Sequence, residues 1–333
     1  MSNKVKYTNS IRWGIIGCGD VTEVKSGPAY QQTEGFELTA VMRRDIVKLK
    51  DYAKRHKIGK YYSNAEDLIN DNEIDAVYIA TPPDSHKYYA LKVARAGKPC
   101  CIEKPMSPCY KDSLAIVESF EKRNIPLFVA YYRRSMPRFD QVKTWLENNE
   151  IGDVRHISWH LSKEASNQDF SGAYNWRTDS KIAPGGYFDD LASHGLDLFT
   201  YFLGNIKEVY GVSGNQQQLY TAKDAIAACW MHDNGITGTG SWNFGCDQTE
   251  DRVEIFGSKG KIQFSVFEEN PLILSGNKRQ EEVFIENPKH IQINHVENMK
   301  KHLLGKDYLH PSSGRTALHT TWVMDRILGN MDI

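Results

Sequence analysis

Three residues of this chain have types and spacings suited to moving a proton. In the run Gly185-Gly186-Tyr187-Phe188-Asp189-Asp190-Leu191-Ala192-Ser193-His194, a helix starting near Phe188 puts Asp190 and His194 at i and i+4, on one face, with Asp197 about one turn further on. A carboxylate beside an imidazole orients the ring and sets its tautomer, which is what a general base near neutral pH requires. The same spacing also describes an ion pair on a helix surface. The third residue is Lys104, in Glu103-Lys104-Pro105, directly after the apolar run Pro99-Cys100-Cys101-Ile102. A lysine at the end of a strand can hydrogen-bond a substrate oxygen. Pro105 fixes its own φ and biases Lys104 toward extended backbone, so the side chain is aimed the same way each time. Taken alone, such a lysine is usually a surface residue.

Proton transfer needs a scaffold, and the first 44 residues describe one. The run Ile11-Arg12-Trp13-Gly14-Ile15-Ile16 reads as a strand and leads into Gly17-Cys18-Gly19-Asp20-Val21-Thr22. A helix-length gap follows, then Glu37-Leu38-Thr39-Ala40-Val41-Met42-Arg43-Arg44 as a second strand. This is the order of a βαβ dinucleotide-binding unit. Gly17 permits the tight turn off the strand, and Gly19 lets a pyrophosphate approach backbone N–H groups. Thr22 stands at the third glycine position, which predicts altered helix–strand packing. Lys25-Ser26-Gly27-Pro28 interrupts the helix, and Pro28 suits the first turn of a new segment. Arg43 and Arg44 stand where an NAD enzyme usually carries an acidic residue for the ribose 2′-OH. Two guanidiniums there would bind a 2′-phosphate and favour NADP(H) over NAD(H), by on the order of a hundredfold. The alternative is that one or both arginines are solvated charges. Asp45 is placed to cap a helix running through His56.

Strand and helix patterns then alternate to about residue 130. Strands are expected over 75–80, 99–102 and 125–130, with helices over 85–96 and 111–123. The pattern predicts a doubly wound parallel sheet, an α/β Rossmann domain over residues 1–130. Ligands bind beyond the C-terminal strand ends of such sheets. That rule gathers Gly17, Cys18, Gly19, Asp20, Val21, Arg43, Arg44, Thr81, Pro82, His86, Glu103 and Lys104 into one candidate cofactor rim. Residues 131–333 change character. Strands are expected over 154–162, 206–212, 224–231, 235–242, 252–256 and 261–264, with Gly257-Ser258-Lys259-Gly260 as a hairpin turn. Helices are expected over 188–202, 290–304 and 314–328. The expected fold is an α+β domain with a large, mostly antiparallel sheet. Tyr132, Arg133, Lys163, Trp176 and Arg177 are further groups that could meet a substrate there, although for each the structural or peripheral reading is the stronger one.

The whole composition narrows the partners. The formal net charge of −1 and pI near 6.8 carry no polyelectrolyte signature, which argues against nucleic acid. The polar start, Met1 to Ser10, lacks the apolar core of a secretory signal, and no apolar run approaches the length of a membrane span. The six cysteines form no C-x-x-C pair and read as buried, reduced thiols of a cytoplasmic protein. The histidines show no H-E-x-x-H spacing, and no metal is expected.

Together the motifs resemble the glucose–fructose oxidoreductase / inositol dehydrogenase / MocA (Gfo/Idh/MocA) family over nearly the whole length. The marks are Gly17-Cys18-Gly19 after the first strand, Thr81-Pro82 followed by His86, Ala96-Gly97-Lys98-Pro99 leading to Glu103-Lys104-Pro105, and Gly185-Gly186 before Asp190 and His194. The resemblance implies that Lys104, Asp190 and His194 converge on a substrate hydroxyl beside a nicotinamide. It also implies sugar, cyclitol or related diol substrates, and a homodimer or homotetramer formed through the second domain's open sheet. Arg43 departs from the Asp of many NAD-using members, and Thr22 from the small residue usual in the glycine fingerprint. Two rival readings remain: a nucleotide-sensing regulatory protein without turnover, which would have no need of all three polar residues, and an S-adenosylmethionine-dependent methyltransferase, which leaves the later motifs unexplained.

Overall fold

Short apolar runs covered on both faces make parallel sheets, and the first half of the chain is built from them. The computed structural model describes residues 10–276, 279–305 and 307–330. In chain order the first elements are β1 (Ile11–Ile16), α1 (Asp20–Val24), α2 (Gly27–Gln32), β2 (Phe36–Met42), α3 (Ile46–Arg55), β3 (Lys60–Tyr62), α4 (Ala65–Asn70), β4 (Ala76–Ile79), α5 (His86–Arg95), β5 (Cys100–Ile102), α6 (Tyr110–Glu121) and β6 (Leu127–Val129). The six strands pair in parallel in the order β3-β2-β1-β4-β5-β6. Alternate side chains enter opposite cores. Ile16, Val77, Ile79 and Ile102 pack with Leu68, Val93 and Phe120 on one face, while Ile15, Tyr78 and Cys101 pack with Tyr30, Tyr52 and Met299 on the other. Asp45 caps α3 as expected, its Oδ1 accepting from the Val47 and Lys48 N–H groups at 3.0 and 3.1 Å. The break at Gly27-Pro28 is also present, between α1 and α2.

The next elements are α7 (Pro137–Glu147), β7 (Val154–Ser162), α8 (Asn167–Ser171), α9 (Tyr187–Leu203), β8 (Ile206–Gly214), β9 (Ala225–His232), β10 (Thr237–Asn243), β11 (Glu250–Gly257), β12 (Gly260–Phe264), β13 (Leu272–Gly276), β14 (Arg279–Val283), α10 (Ile293–Leu304) and α11 (Gly314–Leu328). The second sheet has the order β14-β13-β12-β11-β7-β10-β9-β8 and is antiparallel throughout except for the β7·β10 pair. Its strands alternate as a half-covered sheet should. Along β10, Gly238, Gly240 and Trp242 are buried while Thr237, Thr239 and Ser241 are exposed. The covered face receives α9, where Phe188 and Phe199 meet Trp242 and Trp159 edge-on. Ser258 and Lys259 connect β11 to β12, which confirms the hairpin.

Two compact units result. The described residues to Ser135 form one with Pro288–Leu318; Met136–Asn287 form the other with the chain from His319 onward. The first crossing lies near the expected boundary at residue 130. Residues 288–318 were expected in the second domain and belong instead to the first, because Val296 and Met299 of α10 and Ala317 and Leu318 of α11 fill its two cores.

Candidate active site

The glycine loop is built by steric exclusion. Gly17 has φ +93°, and a Cβ there would stand 2.6 Å from Thr81 Cγ2 and 2.9 Å from Thr81 N. Only glycine lets this turn lie against the loop after β4. A Cβ on Gly19 would meet nothing closer than Gly17 O at 4.0 Å, so the absent side chain leaves an open place beside the loop. Such a place fits a dinucleotide's pyrophosphate. Thr22 is fully buried, and its hydroxyl donates to Gly19 O at 2.8 Å while accepting from Gly19 N–H at 3.0 Å. At this position a side-chain hydroxyl ties the loop to its helix. Asp20 is exposed and Val21 half-buried.

The two arginines after β2 part company. Arg43 Nη1 donates to Cys18 O at 2.9 Å, which seats this guanidinium on the glycine loop and leaves further N–H donors for a ligand. Arg44 is exposed. The Cys18 thiol is buried, and burial pushes it up to about 11, so it stays protonated. The expectation of six buried thiols holds for Cys18, Cys100 and Cys101 only: Cys229 is exposed, and Cys109 and Cys246 are half-buried. Antiparallel strands alternate in and out, which the apolar stretch around Cys229 concealed.

At the ends of β4 and β5, Thr81 is half-buried and Pro82 exposed. His86 has no exposed surface. Its Nε2 lies 2.7 Å from Thr81 O and its Nδ1 3.1 Å from Pro105 O, and burial holds its pKa down. The neutral ring donates its one N–H to one of these carbonyls and packs, fully buried, between the loop after β4 and the loop after β5, so it lies beneath the rim on which it was expected. Glu103 is likewise 7% exposed, its carboxylate engaged by Tyr78 and Gln292. Lys104 follows it and is half-buried, with a cis bond to Pro105. After β6, Tyr132 and Arg133 are buried in a single 3₁₀ turn, with the guanidinium 5.0 Å from the Tyr132 ring centre.

In the second unit, α9 opens at Gly186, whose φ of +67° and close approach to Lys223 O (2.5 Å from an added Cβ) demand glycine. Asp190 lies in its first turn and His194 one turn on, 5% exposed and edge-on to the Phe267 ring at 5.9 Å. Phe267 is placed by Asp251, which accepts its N–H at 2.6 Å and the Trp159 indole N–H at 2.8 Å. Arg177 Nε donates to Asp190 Oδ2 at 2.6 Å, with its guanidinium 4.4 Å from the Trp176 ring centre. Arg177, expected as a substrate group, is thus an ion-pair partner of Asp190. Lys163 is exposed at the end of β7. Among the described residues no group of three or more His, Cys, Asp and Glu side chains could hold a metal ion, and no helix is long and apolar enough to cross a membrane.

Asp189, which the sequence did not single out, is a strongly perturbed carboxyl. Burial, with Asp325 and Asp190 adding nearby negative charge, pushes it up to about 7, although the Gly185 N–H donates to its Oδ2 at 2.9 Å. An unfolded aspartate titrates near 3.9, so the folded chain holds this proton between roughly pH 4 and 7, and stability falls as pH rises through that window. Asp189→Asn keeps an acceptor for Gly185 and cannot ionise. Its Tm relative to the unaltered protein is expected to climb from about pH 4 to about pH 7 and then level. A difference that stays flat across that range would refute the assignment.

The chain matches two family models: an oxidoreductase family NAD-binding Rossmann fold over residues 11–131, and a GFO/IDH/MocA C-terminal domain over residues 139–263. It is 37% identical to Oxidoreductase P35 of Formosa agariphila, over 96% of this chain and 98% of that protein. It is 26% identical to a trans-1,2-dihydrobenzene-1,2-diol dehydrogenase of Sus scrofa, over 76% and 74% of the two chains. Its fold is that of levoglucosan dehydrogenase in complex with NADH (TM-score 0.86, 21% identity, 96% of each chain). It is also that of the WlbA dehydrogenase of Bordetella pertussis in complex with NADH and UDP-GlcNAcA (TM-score 0.82, 22% identity, 96% and 95%). The parallel sheet with its glycine loop, the second sheet and these matches agree, and the chain belongs to the Gfo/Idh/MocA family of NAD-binding oxidoreductases.

Proposed function

We propose that this protein transfers hydride between NADP(H) and a CH–OH carbon of a sugar, cyclitol or dihydrodiol-like substrate, with Lys104, Asp190 and His194 serving the reacting hydroxyl. The observation that carries this reading is the start of α9: Asp190, held by Arg177 at 2.6 Å, stands one turn before a largely buried His194. The named activities of the diol dehydrogenase relative and the levoglucosan dehydrogenase neighbour support the substrate class. The backbone of Gly17, Cys18 and Gly19, with Thr81 and Pro82, would hold the dinucleotide, and Arg43 its 2′-phosphate. When bound, the nicotinamide supplies the hydride acceptor or donor. In oxidation His194 takes the hydroxyl proton, Asp190 stabilises the imidazolium that forms, and Lys104 donates a hydrogen bond to the developing oxyanion. In reduction His194 returns the proton. The neighbouring structures hold NADH; the preference for NADP(H) rests on the guanidinium seated on this chain's glycine loop.

The test is a parallel titration with NADPH and NADH, followed by a panel of sugars, cyclitols and diols monitored by nicotinamide absorbance. NADPH is expected to bind about tenfold tighter or better, with turnover on at least one polyol. Binding of neither cofactor would refute the reading. Binding without turnover across the panel would favour a nucleotide-sensing role.

A further inference from the structure

Within the first unit, the turn that carries Lys104 is held from several sides. Of residues 101–107, Lys104 alone is not buried. One Glu103 oxygen accepts from the Tyr78 hydroxyl at 2.5 Å and from Gln292 Nε2 at 2.8 Å; the other accepts from the Lys104 backbone N–H at 3.1 Å. A buried carboxylate is costly unless hydrogen-bonded, and these three donors are all neutral. His86 packs against the next residues, with Nδ1 3.1 Å from Pro105 O. Gln292 comes from far along the chain. It is the N-cap residue of α10, yet its side chain makes no capping bond and turns instead to Glu103. Its backbone N–H donates to Lys25 O at 3.4 Å, and His290 Nδ1 donates to Val24 O at 2.7 Å. The 290–292 segment therefore touches the end of α1, the helix after the glycine loop, and the carboxylate beneath Lys104.

We propose that Gln292, acting with Tyr78, is a positioning residue for Lys104 and ties the lysine turn to the helix that follows the cofactor loop. The inference rests on the reading of Lys104 as the group at the substrate hydroxyl. Glutamine suits the task because it donates to the carboxylate without adding a cation that would compete with the lysine. Nothing in the local sequence around Gln292 marks it; only the return of the chain to the first unit brings it there.

Three variants test this in the full chain. Gln292→Leu removes one donor, Tyr78→Phe removes the other, and Gln292→Glu supplies a group that donates only when protonated. Two readouts are taken: kcat, KM and NADPH Kd on a polyol found by the panel, and trinitrophenylation of Lys104 relative to exposed Lys50, read by peptide mass spectrometry. The first two variants are expected to lose about tenfold in kcat while KM and Kd stay within about twofold. The labelling rate of Lys104 changes by about threefold or more, and that of Lys50 does not. In Gln292→Glu, kcat relative to that of the unaltered protein at the same pH climbs as pH falls, because facing carboxylates share a proton only in acid. Unchanged kcat and labelling in Gln292→Leu and Tyr78→Phe would overturn the inference. So would kcat and cofactor affinity falling in parallel without rescue by acid, the mark of a merely structural role. If Gln292→Leu does not fold, Tyr78→Phe decides. An unaltered protein without turnover would refute the oxidoreductase reading, and Lys104 labelling would still decide this one.

Discussion

Replacing His194 by alanine is expected to lower kcat by about 10²–10⁴-fold, the usual span of positioned general acid–base help. His194 lies on α9, an element of the second unit, while the glycine loop and Arg43 belong to the first. NADPH and NADH dissociation constants should therefore stay within about threefold of the unaltered protein. The ring is 5% exposed against Phe267, so truncation also leaves a small cavity, and a loss of thermal stability is expected alongside. Steady-state kinetics at a temperature well below the variant's Tm separate the two effects. Full activity in His194→Ala would remove the imidazole from the mechanism. Arg177 bears on the same pair, because its 2.6 Å contact supplies the charge partner that holds Asp190 in place.

Arg43→Ala is expected to weaken NADPH binding by about ten- to a hundredfold, since a charge-assisted hydrogen bond contributes roughly 1.5–3 kcal/mol and 1.4 kcal/mol is tenfold. NADH, which lacks the 2′-phosphate, should lose no more than about threefold, from the hydrogen bond to Cys18 O that the variant also deletes. Arg44→Ala is the internal comparison. Arg44 is exposed, so its removal should change either affinity by about twofold at most, and less at high salt. Equal losses of NADPH and NADH in Arg43→Ala would make that residue a support of the loop, not a reader of the phosphate.

Much of the fold was legible because its signals are local. Periodicity marked α9 within one residue at each end and α11 over its whole length, and the turn glycines marked the β11–β12 hairpin. Several elements escaped. β3 is a three-residue strand, too short to show alternation, and α4 is a six-residue helix. β13 is a five-residue strand, β14 is mostly charged and polar, and α7 begins on Pro137 inside a run of basic and aromatic residues. The family resemblance rested on motifs, and motifs survive because each needs particular residue types within a few positions.

What the sequence alone determined is therefore the order of elements, the glycine loop that only Gly17 can form, and the helix that spaces Asp190 from His194. All are consequences of backbone sterics and of periodicities over a few residues. Tertiary structure decided which of two adjacent arginines sits on the loop, that Arg177 pairs with Asp190, and that His86 lies buried beneath the rim. It also decided that residues 288–318 rejoin the first unit to put Gln292 on Glu103, and that Asp189 keeps its proton near neutrality. The physical reason is common to all of these. Hydrogen-bond partners and desolvation depend on which distant segments pack together, and the residue types within a short stretch of chain do not encode that.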